Sequence, residues 1–307
     1  MNLALGRDKV ITQKDEHGRE WWQRQKGNGM TAAAAGHALL NLWDYEALNE
    51  AERFTSASDA EVRAGGVLGY GIIPCCIASE DDASIGMLDE YIAGEAAAGK
   101  SHAERCAGLQ ALGLAYAGSG RMDVAEMLLP YVEDLGADMK TRLDCDLVCN
   151  AAFSLGMVLA GTADDEAANA LQTVLLEPPE PLLEHPLRRH LAVALGMIYM
   201  QRGVAAEDSL EIMAAAGQES PLGREAALLL RACAFAGTGD VLQVQRMLHA
   251  CAEHPMKDRL ASVAKMRKER TEIQTEQRAR EAQRGDPGQV ASGGAAAAGE
   301  NESDDDL

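Results

Sequence analysis

The chain has few aromatic residues and no paired-cysteine motif. Phe, Trp and Tyr together make up 4 % of its 307 residues. The core therefore has to pack on small and aliphatic side chains, which suits closely packed helices better than a sheet. None of the seven cysteines forms a C-x-x-C pair, and we interpret them as reduced thiols of a cytosolic or nuclear protein.

Long uncharged apolar stretches and a basic charge balance are also missing. No segment of about 18 uncharged apolar residues occurs, so we expect no membrane span. The formal net charge is −20. Nucleic-acid binding is unfavourable at this charge because Lys and Arg have to neutralise the phosphates. The acidic balance permits a basic protein partner, although solubility alone also explains it.

What the sequence does contain is a repeat. Gly71, Gly113, Gly156 and Gly196 occupy the same register in four apolar runs, at intervals of about 42, 43 and 40 residues. Ala232 takes this register in a further run. Such intervals are typical of helical arrays. The six apolar runs begin at Thr31, Arg63, Cys106, Asn150, Leu191 and Leu228.

Each repeat is predicted to form a buried helix, a tight glycine-rich turn and an amphipathic second helix. Glycine inside the first helix costs about 1 kcal/mol against alanine, and close approach of a neighbouring helix offsets that cost. A single repeat cannot bury its own faces, so adjacent repeats have to stack. Thr162 and Asp165 have capping-box spacing before one second helix.

The two ends of the chain differ from this array. We expect residues 1–29 to be a linker or the edge of an upstream repeat, and residues 30–255 to form an α-solenoid. Residues 256–307 are charged and of low complexity, which predicts a largely disordered tail.

The sequence gives little indication of residues grouped for phosphate binding, metal binding or catalysis. The glycines fall in helices or at turns between helices, so we expect no phosphate-binding loop. His249, Cys251 and His254 lie close in sequence but not on one helix face, which disfavours a metal site. His185 and His190 are interpreted as exposed histidines near a helix start. We therefore expect no enzyme activity, no cofactor and no metal.

The repeats resemble proteasome/cyclosome repeats. The resemblance rests on the stretches LGLAYAGSGRMDVAEMLLP, SLGMVLAGTADDEAANALQTVLLE and CAFAGTGDVLQVQRMLHACAEH, and it extends from about Gly6 to His254. It implies an all-α fold, an arc of a toroid of helix-turn-helix repeats. Members of this family are longer than this chain, and an isolated arc is expected to self-associate through apolar end faces.

The resemblance also implies a role. Of the scaffolds that carry these repeats, the chain is most similar to the smaller proteasomal one, in the base of the regulatory particle. Such scaffolds hold the proteasomal ATPase subunits and dock ubiquitin chains, ubiquitin-like domains of shuttle factors and a deubiquitinase. Location in the cytoplasm and nucleus, within the proteasome complex, follows from the same resemblance.

One acidic helix is the candidate receptor surface. The family's ubiquitin contacts fall on Glu166, Thr173 and Glu177, and Thr173 departs from the acidic residue that is common there. Independently, helical spacing places Ala170 on the same stripe as these three residues. Leu171, Val174 and Leu175 are predicted to face the core. A supporting acidic rim is expected from Asp164, Asp165, Glu180 and Glu184.

Other functions remain open from the sequence. The stripe is equally consistent with a plain solvated face. The chain also fits an assembly-only scaffold without ubiquitin binding, such as a paralogous proteasomal or anaphase-promoting-complex subunit. The third hypothesis for the function is a helical-repeat adaptor unrelated to the proteasome.

Overall fold

The structure is a computed structural model that describes residues 3–77, 82–93, 97–137, 139–218 and 220–252. Of residues 251 and 252 it describes the backbone alone. The chain divides into two units, Met1–Ala250 and Cys251–Leu307. The predicted tail at residues 256–307 lies outside the described residues. Within these residues the secondary structure is helical, without a β-strand. No helix among them is long and apolar enough to cross a membrane.

Fourteen α-helices occur in the described residues. They are α1 (Lys9–Thr12), α2 (Asn28–Ala38), α3 (Leu48–Thr55), α4 (Ala60–Ile72), α5 (Ala83–Ile92), α6 (His102–Ala115), α7 (Met122–Ala137), α8 (Arg142–Val158), α9 (Asp165–Leu176), α10 (Glu180–Leu183), α11 (Arg189–Ile198), α12 (Glu207–Ala216), α13 (Pro221–Ala234) and α14 (Val241–Ala252). Short 3-10 helices span Trp22–Arg24, Leu39–Asn41 and Tyr45–Ala47.

The helices form two rows. The first row, in order of packing, is α2, α4, α6, α8, α11 and α13, and each helix contacts the next. The second row is α3, α5, α7, α9, α12 and α14. From α3 to α12, each second-row helix packs against the first-row helix of the following repeat. This arrangement confirms the predicted all-α array of helix-turn-helix repeats.

The glycine register marks where consecutive first-row helices meet. A Cβ atom added to Gly156 would lie 2.6 Å from Ala194 Cα, and one added to Gly196 would lie 2.9 Å from Cys233 Sγ. These distances leave no room for a side chain, which confirms the close approach predicted from the sequence. Gly108 allows α6 to approach a second-row helix, because a Cβ there would lie 2.8 Å from Tyr91 Cβ on α5.

The turns bind the repeats together by main-chain hydrogen bonds. The last carbonyls of an α-helix have no partner inside the helix. Here the turn of the preceding repeat supplies the donors: Gly118 N lies 2.8 Å from Met157 O, and Gly120 N lies 2.9 Å from Val158 O. The same pairing recurs at Gly161–Met197, Ala163–Ile198, Ala4–Leu39 and Gly6–Leu40.

These turns require a left-handed backbone at the fifth residue after each register position. The φ angle at this point is +69° at Gly118 and +72° at Gly161. Non-glycine residues adopt the same conformation in three of the turns, at Trp43, Cys76 and Gln201. Left-handed geometry strains an L-residue, and at Trp43 and Gln201 a main-chain hydrogen bond to the next repeat holds it in place.

The last described helix exposes apolar side chains. Val241, Leu242, Val244 and Leu248 on α14 are all exposed. The expected self-association through apolar ends stays a prediction.

Candidate docking groove between two second-row helices

A groove of about 740 Å³ lies between α7 and α9. All four residues of the predicted stripe line it, and its opposite wall comes from α7, which the sequence did not assign to the site. Its lining residues are Val132, Glu133, Gly136, Ala137, Glu166, Asn169, Ala170, Thr173, Val174, Glu177 and Pro179.

The start of α9 orients its share of the groove. Asp164 is the N-cap, and its carboxylate accepts a hydrogen bond from Ala167 N at 2.9 Å. The predicted capping box of Thr162 and Asp165 is wrong. Thr162 instead donates its hydroxyl to Leu159 O at 2.8 Å and so closes the preceding turn.

The stripe on α9 is only partly exposed. Glu166, Thr173 and Glu177 are exposed, and Leu171, Val174 and Leu175 are buried as predicted. Ala170 is 8 % exposed, so its expected outward position is wrong. The reason is the neighbouring α7, which covers that side of α9 and makes Ala170 part of the groove floor. Asn169 takes the exposed position between Glu166 and Thr173.

The opposite wall of the groove comes from α7. Gly136 permits the approach of the two helices, because a Cβ there would lie 3.0 Å from Val174 Cγ2. Glu133 is exposed and adds a carboxylate to the groove, whereas Val132 is buried. Sequence reasoning missed this wall. The signal that could have found it is the one-repeat offset between α7 and α9, which makes them neighbours in the second row.

The groove combines an apolar floor with an acidic edge. Among the lining residues the charged side chains are the carboxylates of Glu133, Glu166 and Glu177. Thr173 brings no charge, and its hydroxyl donates to Asn169 O at 2.9 Å. Such a surface fits an apolar patch that is surrounded by Lys and Arg.

The predicted acidic rim lies outside the groove lining. Asp165 is exposed in the first turn of α9, and Asp164 is half-buried as its cap. Glu180 begins α10 and Glu184 follows its end, and both are exposed. Because these carboxylates lie outside the groove lining, their attraction for a charged group in the groove would be long-range and screened by salt.

A second groove, of about 680 Å³, lies between α5 and α7. It differs in charge, because Arg105 lines it together with the carboxylates of Asp89, Glu126 and Asp134. Arg105 Nε is buried there without a hydrogen-bond partner.

The cluster that most resembles a catalytic site lies around Asp146. His102 Nε2 lies 3.1 Å from Asp146 Oδ2 and 3.5 Å from Cys106 Sγ. Because one ring nitrogen faces both groups, the imidazole cannot pass a proton from the thiol towards the carboxylate. Burial, followed by the nearby Asp146, raises the pKa of the Cys106 thiol to about 11. This cysteine is therefore not an activated nucleophile.

Two further histidines are buried or packed, contrary to expectation. His185 is 2 % exposed, with Nε2 at 3.2 Å from Asp146 Oδ1, and His190 stacks on Phe153 at 4.9 Å between ring centres. Burial lowers the pKa of both histidines. The interpretation as exposed helix-start histidines is wrong, since the corner after α10 folds back onto α8.

Two sequence patterns carry no site in the described residues. Residues 94–101 have the spacing of a phosphate-binding loop, contrary to the expectation that none occurs, and residues 94–96 lie outside the described residues. No described strand precedes this segment, Lys100 Nζ pairs with Glu90 at 2.8 Å, and Ser101 caps α6. The side chains of Cys251 and His254, in the disfavoured metal group, lie outside the described residues. No cluster of metal-ligating side chains occurs in the part that is described.

Comparison with known proteins identifies the repeats. Residues 110–141, which cover the end of α6, the turn and α7, match the proteasome/cyclosome repeat model. The chain is 31 % identical to the 26S proteasome regulatory subunit rpn-1 of Neurospora crassa over 83 % of its own length and 27 % of the relative.

Two further relatives agree. The 26S proteasome non-ATPase regulatory subunit 2 of Dictyostelium discoideum is 29 % identical over 82 % of this chain and 27 % of the relative. The regulatory subunit rpn1 of Schizosaccharomyces pombe is 31 % identical over 84 % of this chain and 28 % of the relative. The chain is therefore a proteasome/cyclosome-repeat relative of the 26S proteasome non-ATPase regulatory subunit 2 proteins, and it spans about a quarter of their length.

Proposed function

We propose that the chain is a non-catalytic scaffold of the proteasome regulatory particle. It would act in the base of that particle, within proteasomes of the cytoplasm and nucleus, beside the ATPase subunits. The similarity to regulatory subunit 2 proteins over most of the chain supports this role. The two rows of packed helices supply the stiff framework that such a role requires.

The groove between α7 and α9 is the proposed receptor site. Its ligands would be ubiquitin chains, ubiquitin-like domains of shuttle factors and a deubiquitinase. The observation that carries this assignment is the placement of Glu166, Thr173 and Glu177 along one groove with Glu133 opposite. Ubiquitin presents a shallow apolar patch rimmed by Lys and Arg, which matches an apolar floor edged by carboxylates.

Binding at this groove should be weak and sensitive to salt. Exposed carboxylates contribute little to affinity individually, about 0.2–1 kcal/mol for each ion pair. The acidic rim and the net charge of −20 mainly accelerate the encounter with a basic partner. Thr173 removes one such ion pair, which favours the alternative of an assembly-only scaffold without ubiquitin binding.

Titration of isotope-labelled ubiquitin with the full chain, followed by NMR, tests the receptor site. We expect shifts on the apolar patch of ubiquitin, and a smaller response when the salt concentration rises. The double substitution Glu166→Arg with Glu177→Arg should abolish the shifts while the circular dichroism spectrum and melting temperature stay unchanged.

The matched control changes the same charge on a neighbouring second-row helix. Glu207→Arg with Glu211→Arg reverses two exposed carboxylates one turn apart on α12, outside the groove. This variant should bind as the unmodified chain does, apart from the loss of general attraction. No shifts with the unmodified chain would leave the assembly-only scaffold. Equal loss in both double variants would exclude the groove as the place where ubiquitin binds.

A further inference from the structure

Two adjacent thiols lie in the turn that follows α4. The sulfur atoms of Cys75 and Cys76 are 3.7 Å apart. Cys76 is exposed, whereas the other described free thiols are half-buried or buried: Cys75, Cys106, Cys145, Cys149 and Cys233. The pair therefore combines an accessible thiol with a second thiol within reach.

The position of Cys76 in the repeat explains its exposure. It is the fifth residue after Gly71, where three other turns place a glycine with left-handed φ, and its own φ is +61°. The equivalent residues Trp43 and Gln201 are exposed as well. Its sulfur lies 4.0 Å from the carbonyl oxygen of Ala117 in the following repeat.

We propose that Cys75 and Cys76 form a thiol-modification site for small-molecule disulfides of the glutathione class, in which Cys76 reacts first and Cys75 closes the vicinal disulfide. The chemistry is independent of the proposed docking groove. It makes the junction of the second and third repeats sensitive to the thiol–disulfide balance.

The reaction balances without a further oxidant. The Cys76 thiolate attacks one sulfur of the small disulfide, forms a mixed disulfide and releases one thiolate. The Cys75 thiol then loses its proton and attacks Cys76 Sγ, which forms the protein disulfide and releases the second thiolate. Two protein thiols are oxidised, one small disulfide is reduced to two thiols, and the protons pass to water or to the released thiolates.

The order of the two steps follows from the surroundings of the thiols. Burial and the contact with Cys76 raise the pKa of Cys75 to about 11, so Cys75 is rarely the first thiolate. Burial likewise raises the pKa of Cys106 to about 11. Proximity to Cys76, rather than acidity, enables Cys75 to take part in the second step.

The closed form should be easy to reduce. Adjacent Cα atoms are about 3.8 Å apart across a trans peptide, whereas disulfides usually join Cα atoms about 4.4–6.8 Å apart. Strained disulfides have more oxidising potentials and belong to the labile class. Modification at this site is therefore reversible by a small thiol.

Peptide mapping by mass spectrometry after exposure of the reduced full chain to glutathione disulfide tests the site. We expect Cys76 to react at least about tenfold faster than Cys106 or Cys233. The peptide that holds both thiols should then lose two hydrogen atoms, and dithiothreitol should restore it. Mapping also separates Cys251, whose side chain lies outside the described residues.

Single variants distinguish the two steps. Cys75→Ser should trap the mixed disulfide on Cys76, and Cys76→Ser should leave Cys75 unmodified. Cys233→Ser is the matched control and should react like the unmodified chain. The proposal is overturned if Cys76 reacts no faster than the half-buried thiols, or if the mixed disulfide persists in the unmodified chain without closure onto Cys75.

Discussion

Gly113 of α6 lies directly against Ser154 of α8. A Cβ atom at position 113 would stand 2.5 Å from Ser154 Cβ and 2.7 Å from Met157 Cε. Both neighbours belong to the next first-row helix, so the space that a glycine leaves is filled by the following repeat. The contact recurs at Gly71, Gly156 and Gly196, which makes it the unit from which the first row is assembled.

The first prediction concerns this contact. Gly113→Leu should destabilise the chain by at least about 1–3 kcal/mol, because α6 and α8 would have to separate. Gly86→Ala is the control, since Gly86 lies within α5 and has nothing within 4 Å of an added Cβ. That change should stabilise by about 0.5–1 kcal/mol through helix propensity. Urea denaturation measures both, and an unchanged midpoint for Gly113→Leu would contradict the packing argument.

The second prediction concerns the left-handed turn position. Gln201→Gly should raise stability by about 0.5–1 kcal/mol, because φ is +60° and glycine adopts this angle without strain. Gly118→Ala is the converse change at an equivalent position, with open space around its added Cβ and φ of +69°. It should cost about 1 kcal/mol. Equal melting temperatures for the two variants would show that the turns carry no strain.

The third prediction is a loss of stability on acidification. Burial lowers the pKa of His37, His185 and His190 below the ordinary value of 6.5. The unfolded chain therefore binds protons at a higher pH than the folded chain does. Their contribution to stability is present above pH 6.5 and is lost as the pH falls towards the folded values.

Urea midpoints between pH 7.5 and pH 5 measure this loss. His37→Gln or His190→Gln should flatten the decline, since each removes one of the groups whose protonation opposes folding. The reverse result, a midpoint that rises as the pH falls through this range, is incompatible with buried neutral histidines.

The fourth prediction concerns the neutral position in the groove. Thr173→Glu should tighten ubiquitin binding by up to about fivefold, because it adds one exposed carboxylate worth about 0.2–1 kcal/mol. Thr173→Gln has similar size without the charge and should leave the affinity unchanged. Fluorescence anisotropy with labelled ubiquitin at low and high salt measures both. Equal affinity of the Glu and Gln variants would mean that position 173 does not face the partner's charges.

The sequence predicted the repeat and its glycine contacts better than it predicted which side chains a neighbouring element buries. The glycine spacing predicted which residues meet between helices, because a missing side chain records a close contact. Ala170 was misplaced because helical spacing describes one helix, whereas its burial depends on α7 of the preceding repeat. His185 was misjudged for a related reason, since its burial depends on the fold of the corner after α10 against Asp146.

The hydrogen bonds between the turns and the next helix could be predicted from the sequence only in part. Gly118 and Gly161 mark their positions by residue type, but Trp43, Cys76 and Gln201 adopt the same backbone without such a mark. The observed N-cap of α9, Asp164, lies two residues after the predicted one, Thr162. Both residue types can cap a helix, but the threonine hydroxyl is already bonded within the preceding turn.

Site-specific photocrosslinking tests the central claim, that the groove between α7 and α9 receives a ubiquitin fold. Asn169 is exposed in that groove, and a photoreactive phenylalanine analogue there should crosslink to the apolar patch of ubiquitin. The same probe at Glu211 of α12 is the control and should not crosslink. Crosslinks from 169 that map to this patch are the expected result. Equal crosslinking from both positions, or none from 169 while ubiquitin still binds, would contradict the assignment.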